Sequence, residues 1–418
     1  MKQIRIGCIA DDFTGGSDAA SFLKKGGLKT LLYNGTPKTP LPDTFSGGAV
    51  VIALKIRTAA REQALTEAKE AFNWLRANGT DQYYFKYCST FDSTPAGNIG
   101  PVTDLILDAL EETGTILCPA LPVNGRQVKD GRLYVNGVPL DQSSMKDHPL
   151  TPMKDSRIDR LMAPQGTYRP VVLPTNRMTP EEIRAVLDTQ KQNGETCYLI
   201  PDYENDADAE KLISCFGHLR FLTGGSGLLE GLAGRAAALS DNSPAAEAPA
   251  KKITLLLAGS CSVATRGQIK HFLDHGGRGI FADPEKLRNG RLAEDDLLAF
   301  ILAEDGPVLV YTSDSPENIK KQPKNACCRI PELLENTLAS LAYKTLAAGC
   351  TRLICAGGET SGAITKKLGY NAYDIGESIA PGVPLLTPLN APHVRLVLKS
   401  GNFGQEDFFH RAVKAVSR

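Results

Sequence analysis

Short apolar runs alternate with longer amphipathic stretches along almost the whole chain, which has 418 residues. This alternation is typical of parallel α/β structure, in which a helix follows each buried strand and returns the chain to the same edge of the sheet. Residues 60–77, for example, have apolar side chains three and four positions apart, which predicts a helix. We therefore expect an α/β fold with mainly parallel sheets. The apolar runs predict strands near residues 3–10, 28–33, 49–55, 82–87, 115–119, 170–173, 196–200, 219–223, 253–258, 277–281, 307–311, 351–356, 383–387 and 394–399.

Two segments interrupt the alternation. Residues 124–142 contain three turn dipeptides of the Asn-Gly or Asp-Gly type, which predict a β-hairpin excursion. Residues 238–251 contain small residues, two prolines and no apolar periodicity, which is typical of a linker. Because a chain of this length exceeds what one hydrophobic core usually holds, we expect two domains joined by this linker, residues 1–240 and residues 252–418.

The composition excludes several classes of partner. Lys and Arg together number 47, and so do Asp and Glu, so no excess of positive charge favours nucleic acid or a membrane surface. No apolar run reaches the roughly 18 residues that a membrane span needs. The N-terminus enters a strand without the apolar region of a signal peptide. We expect a cytoplasmic protein.

The cysteines and histidines do not form a metal-binding pattern. The ten cysteines are scattered, no C-x-x-C occurs, and Cys327 and Cys328 are adjacent, a poor geometry for one zinc ion. The six histidines show no spacing typical of metal ligands. We expect reduced thiols and no structural transition metal.

Two adjacent aspartates, Asp11 and Asp12, end the first predicted strand and are followed by Gly15 and Gly16. In a doubly wound sheet, ligands bind at the carboxyl ends of the strands, where the N-terminus of the next helix offers free N–H groups. The alternative is that Asp12 or Thr14 only caps that helix. Capping accounts for one polar residue, but not for two adjacent acids and two glycines.

The second domain has small-residue loops after three predicted strands, at residues 258–262, 356–362 and 399–404. Such loops let backbone N–H groups approach an anion, although each alone is more often an ordinary turn. Together they predict a phosphate or nucleotide cleft. No P-loop motif occurs, and no dinucleotide fingerprint follows the first strand, so ATP would be bound by another arrangement.

The first domain adds further polar groups at strand ends. Arg57 and Lys86 are cations that could bind a substrate carboxylate, and the hydroxyl-rich loop 89–100, with Ser89 and Asp92, could bind sugar hydroxyls. The alternative for this loop is that Asn98 caps a helix beginning at Pro101. A further hypothesis is that Asn124-Gly125-Arg126 closes the same pocket. The 224–227 loop is either a plain turn or part of the cleft. Asp11 or Asp12 would then serve as the base for phosphoryl transfer, or hold Mg²⁺.

At these positions the chain resembles the four-carbon acid sugar kinase family. The motifs that carry the resemblance are IADDFTG at residues 9–15, KYCSTFDS at 86–93, CPA at 118–120, AGSCS at 258–262, GGETSG at 357–362 and KSGNFG at 399–404. They extend over nearly the whole chain. The last motif, followed by Asp407-Phe408-Phe409, is similar to the 3-oxo-tetronate kinase branch, which phosphorylates the terminal C4 hydroxyl. One departure is Gly16-Ser17, where the family pattern is closer to Ala-Thr.

The resemblance implies an N-terminal substrate-binding domain, a C-terminal nucleotide-binding domain, ATP and Mg²⁺ as cofactors, and a small sugar acid as substrate. A homo-oligomer is a separate expectation for the assembly. From their positions after the predicted strands, the expected catalytic residues are Asp12 and Asp11, and the expected substrate-binding residues are Arg57, Lys86, Ser89 and Asp92. The expected nucleotide-binding residues are Ser260, Gly357, Gly358, Glu359, Thr360, Ser361, Gly401 and Gly404. Alternative functions are phosphorylation of D-threonate or D-erythronate, a non-catalytic sensor of sugar acid and nucleotide, and a nicotinamide-dependent dehydrogenase, which the missing fingerprint disfavours.

Overall fold

The structure is a computed structural model that describes residues 4–42, 45, 47–147, 151–237, 253–312 and 330–417. The chain divides into two compact units, Met1–Asn242 and Ser243–Arg418. The predicted linker, residues 238–251, lies outside the described residues. None of the helices within the described ranges is long and apolar enough to cross a membrane.

The N-terminal unit contains a parallel sheet with helices between its strands, so the predicted α/β class is confirmed. Its sheet strands are β1 (Ile4–Ala10), β2 (Thr30–Asn34), β3 (Gly48–Ala53), β4 (Thr80–Lys86), β5 (Gly114–Cys118), β9 (Arg169–Leu173), β10 (Cys197–Pro201) and β11 (Phe221–Gly224). Its helices are α1 (Phe13–Lys25), α2 (Arg61–Ala77), α3 (Ile99–Leu110), α4 (Ile158–Met162), α5 (Pro180–Asn193), α6 (Asp206–Phe216) and α7 (Leu229–Ala237). The strand order is β2-β3-β1-β4-β11-β5-β10-β9.

The register of the central strands brings their carboxyl ends to one level. Ala10 at the end of β1 pairs with Ala53 of β3 and with Lys86 of β4. Lys86 in turn pairs with Gly224 of β11. Every residue of β3 is buried, as expected for a strand covered on both faces by helices. Residues that follow these strands are therefore neighbours at one edge of the sheet.

The predicted hairpin excursion is confirmed. It follows β5 and forms a small antiparallel sheet of β6 (Arg126–Lys129), β7 (Arg132–Val135) and β8 (Val138–Pro139). Leu133 is buried, which anchors this small sheet to the unit.

The C-terminal unit also has an α/β fold, with a mixed sheet. Its strands are β12 (Thr254–Ala258), β13 (Arg278–Phe281), β14 (Pro307–Tyr311), β15 (Arg352–Ala356), β16 (Ala372–Ala380), β17 (Val383–Pro388) and β18 (Arg395–Lys399). Its helices are α8 (Val263–Asp274), α9 (Pro284–Arg288), α10 (Glu294–Leu302), α11 (Ile330–Ala347), α12 (Gly358–Leu368) and α13 (Phe408–Val416). The order is β13-β14-β12-β15-β18-β17-β16, and the pairing is parallel except that β17 pairs antiparallel with both β18 and β16.

The carboxyl ends of the parallel strands in this unit are also aligned. Ala258 pairs with Ala356, and Ala356 pairs with Lys399. Buried strand residues such as Leu256 and Val397 pack with Phe272 of α8 and with Phe408 and Phe409 at the start of α13. This core fixes the three strands whose following loops were singled out in the sequence.

Candidate active site

Asp12 begins helix α1 and also contributes to the charged group beside it. Its Oδ1 accepts a hydrogen bond of 2.6 Å from the Gly15 backbone N–H, so it is the N-cap residue. Its Oδ2 lies 3.0 Å from Nη1 of Arg57 and accepts from the Thr14 hydroxyl at 3.3 Å. Asp12 therefore caps the helix, but it does not only cap it, because its second oxygen contacts Arg57 and Thr14.

Asp11 forms a two-pronged ion pair with Arg57. Nε and Nη2 of Arg57 donate to the two carboxylate oxygens of Asp11, each at 2.8 Å. The Asp11 side chain is 4% exposed, whereas that of Asp12 is 29% exposed. Burial raises the pKa of Asp11. For Asp12, burial also opposes ionisation, but the charges of Arg57 and Lys86, together with the hydrogen bonds from Gly15 and Thr14, hold the pKa below its usual value.

Asn98 supports the segment that carries Arg57. It occupies the N-cap position of α3, yet its side chain makes no capping hydrogen bond. Instead its Nδ2 donates to the carbonyl oxygens of Ile56 at 2.7 Å and Ala59 at 2.9 Å. The alternative that Asn98 caps a helix is therefore wrong. The physical reason is that two carbonyl groups on either side of Arg57 use its amide nitrogen.

Lys86 is buried at the end of β4 and pairs with an aspartate that the sequence analysis did not select. Its Nζ lies 3.6 Å from Oδ2 of Asp18 and donates to the Tyr87 carbonyl at 2.9 Å. Asp18 lies on the buried side of α1 and also accepts from the hydroxyl of Ser226, which follows β11. The 224–227 loop therefore takes part in this group. Burial raises the pKa of Asp18.

The charged groups converge on Gly15, in the first turn of α1. A Cβ atom at Gly15 would lie 2.5 Å from Oδ1 of Asp12, 3.3 Å from Nζ of Lys86 and 3.7 Å from Oδ1 of Asp11. The absence of a side chain thus leaves the space that these groups border. Four of the predicted residues, the two aspartates with Arg57 and Lys86, are brought together here.

The two other predicted substrate residues lie in the loop after β4. Asp92 is buried and accepts a hydrogen bond of 2.6 Å from the Thr90 hydroxyl. Sγ of Cys88 lies 2.9 Å from the Thr90 hydroxyl oxygen, and the charges of Asp92 and Arg57 both affect the pKa of its thiol, so this loop passes beside the ion pair. Ser89 lies half-buried in the turn, and no contact with the charged group is recorded for it within the described ranges. Arg126, in the hairpin, donates to the Asn124 carbonyl.

A cavity of about 660 Å³ lies elsewhere in this unit, between α2 and α3. Its walls include Phe72, Pro101 and Asp104. None of the candidate residues lines it, so the site is defined by the strand ends and not by this groove.

In the C-terminal unit, three loops pack closely around Ser260. The Ser260 backbone N–H donates to the Ala356 carbonyl at 3.3 Å. A Cβ at Gly401 would lie 2.2 Å from Oγ of Ser260, and one at Gly357 would lie 3.2 Å from its backbone nitrogen. Gly357 also has φ of +132°, which favours glycine. The loops after β12, β15 and β18 can therefore approach one another because both glycines lack side chains.

The remaining predicted nucleotide residues occupy the first turn of α12. Gly358 and Glu359 are exposed, whereas Thr360 and Ser361 are buried. The Thr360 hydroxyl faces the backbone of the Gly259 loop, because a Cβ at Gly259 would lie 2.2 Å from it. Next in sequence to Ser260, Cys261 is exposed.

Gly404 lies at the far end of the last loop. Its φ is +81°, and a side chain there would meet the Phe408 ring at 2.6 Å. The side-chain amide of Gln268 on α8 donates to the carbonyls of Phe403 and Gly404, each at 2.9 Å, and of Gln405 at 3.1 Å. Gly404 therefore shapes the loop, and its contact with a nucleotide stays a prediction.

Lys399, the last residue of β18, is fully buried below these loops. Its Nζ donates to the Thr265 hydroxyl at 3.0 Å, to the Ser400 carbonyl at 3.0 Å and to the Gly401 carbonyl at 3.1 Å. The Gly401 carbonyl also accepts from the hydroxyls of Ser262, at 2.6 Å, and Thr265, at 2.8 Å. Burial lowers the pKa of Lys399 to about 7.

Both units match known protein families over most of their length. Residues 6–232 match the family described as the sugar-binding N-terminal domain. Residues 255–409 match the family described as the nucleotide-binding C-terminal domain. A sugar site and a nucleotide site are thus assigned to the units that hold the charged group and the glycine loops.

Relatives of the same length carry both domains. A 3-oxo-tetronate kinase from Brucella melitensis is 42% identical, and the match covers 100% of this chain and 97% of the relative. One from Cupriavidus necator is 41% identical, with coverage of 98% and 96%. The chain belongs to the four-carbon acid sugar kinase family. The resemblance seen in the sequence motifs is therefore confirmed.

Solved structures of family relatives share the fold. The crystal structure of Haemophilus influenzae protein HI1011 is 38% identical in sequence, with a TM-score of 0.81 and coverage of 97% of this chain and 98% of that one. A crystal structure from Salmonella typhimurium LT2 is also 38% identical, with a TM-score of 0.89 and coverage of 99% of both chains. The α/β domains described above are thus the fold of this kinase family.

The aspartates do not fit a magnesium ion bound directly by the protein. Within the described ranges, no group of three or more His, Cys, Asp or Glu residues is arranged to hold a metal. All four carboxylate oxygens of Asp11 and Asp12 accept from Arg57, Gly15 or Thr14. The guanidinium between the two carboxylates also opposes a second cation. The geometry thus does not support the hypothesis that Asp11 or Asp12 holds Mg²⁺.

Sequence reasoning missed Asp18 and the buried position of Lys399 among the glycine loops. Asp18 lies among small residues on the buried side of helix α1. The only sequence feature that could have identified it is that it is an acidic residue in an otherwise small and uncharged segment. Lys399 ends an apolar strand, as Lys86 does, so a lysine at the carboxyl end of a buried strand was the available signal. Ser262 and Thr265 have no distinctive pattern, because hydroxyl residues are common at helix starts.

Proposed function

We propose that this chain is an ATP-dependent kinase that transfers a phosphoryl group to the terminal C4 hydroxyl of 3-oxo-tetronate, giving 3-oxo-tetronate 4-phosphate and ADP. The observation that carries the proposal is the convergence of Asp11, Asp12, Arg57 and Lys86 at the start of α1, in a unit of the sugar-binding family. The full-length relatives named 3-oxo-tetronate kinase support the choice of substrate.

In this proposal Asp12 orients the acceptor hydroxyl and takes its proton. It is the more exposed of the two aspartates, and its low pKa keeps it ionised. Phosphoryl transfer proceeds through a loose transition state, so positioning matters more than the strength of the base. A carboxylate fixed at a helix N-terminus, with Oδ1 held by the Gly15 N–H, is well suited to that role.

Asp11 has a different role, because Arg57 uses both of its oxygens. It positions the guanidinium, whose remaining N–H donors would bind the carboxylate of the sugar acid. Lys86 adds a second cation to this subsite, and Ser89 and Asp92 would contact the substrate hydroxyls from the loop after β4.

The nucleotide would be bound in the C-terminal unit by Ser260, the start of α12 and the loop at Gly401. Backbone N–H groups at a helix N-terminus and in tight turns suit phosphate groups. The predicted contacts are Ser260, Gly357, Gly358, Glu359, Thr360, Ser361, Gly401 and Gly404. Because the aspartates do not fit a metal, Mg²⁺ would enter bound to the phosphates of ATP.

The direct test is a coupled assay of ADP formation with purified protein, ATP and Mg²⁺. We expect turnover with 3-oxo-tetronate, and comparison with D-threonate and D-erythronate establishes the specificity. Faster turnover of either of these would reassign the substrate. Binding of both ligands without ADP formation would instead identify a sensor. Light scattering on the same sample tests the predicted homo-oligomer.

The role of Asp12 has its own test in two substitutions. Asp12→Asn should lower kcat by about 10²-fold, because the base is lost, while stability is retained because asparagine is also a good N-cap. Asp12→Ala should lower kcat equally and also cost about 1 kcal/mol of unfolding free energy. Steady-state kinetics and urea denaturation measure both. An unchanged kcat in Asp12→Asn would leave Asp12 with the capping role alone.

A further inference from the structure

Lys399 is a buried cation without a carboxylate partner. Lys399 is 0% exposed, and none of the ion pairs between described residues includes it. Its three ammonium hydrogens are matched by three neutral oxygens, those of Thr265, Ser400 and Gly401. An ammonium so placed carries its positive charge in a region of low dielectric, which is costly unless a negative group lies nearby.

The hydrogen bonds of Lys399 fix the direction of two successive peptide groups. The carbonyls of Ser400 and Gly401 both point towards Nζ. In a trans peptide, the C=O and the following N–H point in opposite directions, and no described peptide bond of this chain is cis. The N–H groups of Gly401 and Asn402 therefore point away from Lys399. Asn402 is exposed, so this side of the turn is open to a ligand.

These two N–H groups have no recorded acceptor among the described residues, although the neighbouring Phe403 N–H donates to Ser400 at 3.3 Å. Successive free N–H groups that point the same way form an anion-binding concavity. The Gly401 carbonyl is further fixed by the hydroxyls of Ser262 and Thr265. The orientation of the turn is thus fixed by hydrogen bonds from the N-terminal part of α8 and from Lys399.

We propose that Lys399 is a positioning residue of the nucleotide site, which turns the N–H groups of Gly401 and Asn402 towards a phosphate group and supplies the positive charge behind them. This inference rests on the proposed function, because it takes the phosphates of ATP as the anion. The burial that lowers the pKa of Lys399 agrees with it, since a bound phosphate would supply the negative charge that the surroundings lack.

The test compares ATP with adenosine, which has no phosphate. Lys399→Met keeps the length of the side chain and removes its charge. By calorimetric titration, we expect its Kd for ATP to rise about 10- to 100-fold, the usual effect of losing hydrogen bonds to a charged group. The Kd for adenosine and the KM for 3-oxo-tetronate should stay within about twofold of the parent. Lys414→Met, at an exposed lysine of the same unit, is the matched control.

The binding constants of Lys399→Met can contradict the proposal in two ways. An unchanged Kd for ATP in Lys399→Met would overturn the proposal, and an equal loss for adenosine would show that Lys399 only supports the fold. If Lys399→Met does not fold, Thr265→Val is the second variant, because Thr265 contacts both Nζ of Lys399 and the Gly401 carbonyl. It should raise the Kd for ATP about three- to tenfold and leave adenosine unchanged; no change for ATP would again overturn the proposal. Failure of the parent protein to bind ATP would contradict the proposed function instead.

Discussion

Lys86 and Lys399 occupy corresponding places in the two units but have different surroundings. Each ends an apolar strand, is buried, and donates to the carbonyl of the next residue, Tyr87 or Ser400. Lys86 has the carboxylate of Asp18 at 3.6 Å. Lys399 has hydroxyl and carbonyl oxygens and the Phe408 ring as partners, and no carboxylate among the described residues. One cation is therefore paired with a carboxylate, and the other is not.

This difference in charge explains how the two sites can select different ligands. In the N-terminal site, two cations each pair with at least one of three carboxylates, so the site offers fixed donors and acceptors rather than a strong positive field. Such a site suits a small sugar acid with several hydroxyls and one charge. In the C-terminal site, small residues and one uncompensated cation suit a polyanion such as the triphosphate of ATP.

The largest effect is expected when the cation that pairs with Asp11 and Asp12 is removed. Arg57→Ala leaves Asp11 buried without its partner, which should lower the unfolding free energy by about 3 kcal/mol. We expect kcat/KM for 3-oxo-tetronate to fall by about 10³-fold, since Asp12 and the substrate carboxylate both lose a partner. Chemical denaturation and the coupled assay measure the two effects.

Lys55→Ala is the control for this variant, because Lys55 is exposed two residues before Arg57. It should match the parent in both measurements. If Arg57→Ala kept the parental kcat/KM, the charged group at α1 would not be the substrate site. The contrast drawn between a sugar-acid site and a nucleotide site would then be wrong.

On the nucleotide side, Gly401→Ala should separate the loops that meet at Ser260. The added methyl group would lie 2.2 Å from Oγ of Ser260, so one loop must move. We expect the KM for ATP to rise about tenfold, with the KM for the sugar acid unchanged. Gly306→Ala is the matched control, because nothing lies within 4 Å of the Cβ it would add. Equal kinetics for the two variants would show that close packing of these loops is not needed.

Asp18→Asn tests the difference between the two lysines directly, because it removes the carboxylate that Lys86 has and Lys399 lacks. Without the negative charge, Lys86 should attract the substrate carboxylate more strongly. We expect the KM for 3-oxo-tetronate to fall by about threefold and the KM for ATP to stay constant. The exposed Asp188→Asn is the control. A raised KM would mean that Asp18 is needed to orient Lys86 rather than to balance its charge.

The sequence predicted the strands well because each buried strand is a continuous apolar run. The predicted strands at 49–55 and 394–399, for example, correspond to β3 and β18. Strand β16 is absent from the prediction. It contains Asp374, Glu377 and Ser378 and is only partly buried, so its antiparallel pairing with β17 and not its composition makes it a strand.

The candidate site was predictable where charge and strand ends coincide. Asp11, Asp12, Arg57 and Lys86 each follow or end a neighbouring strand, so parallel topology alone brings them together. The division of roles between Asp11 and Asp12 was not predictable. It depends on which carboxylate the guanidinium contacts with two nitrogens, and that depends on how Asn98 holds the chain around Arg57.

The exposed thiol of Cys261 offers a practical means to follow ligand occupancy. It adjoins Ser260, and the other described cysteines are buried or partly buried. With Cys327 and Cys328 replaced by serine, a maleimide dye should label this position selectively. Its emission would then report whether the neighbouring loops are occupied, in real time and without turnover, so that association rates become accessible.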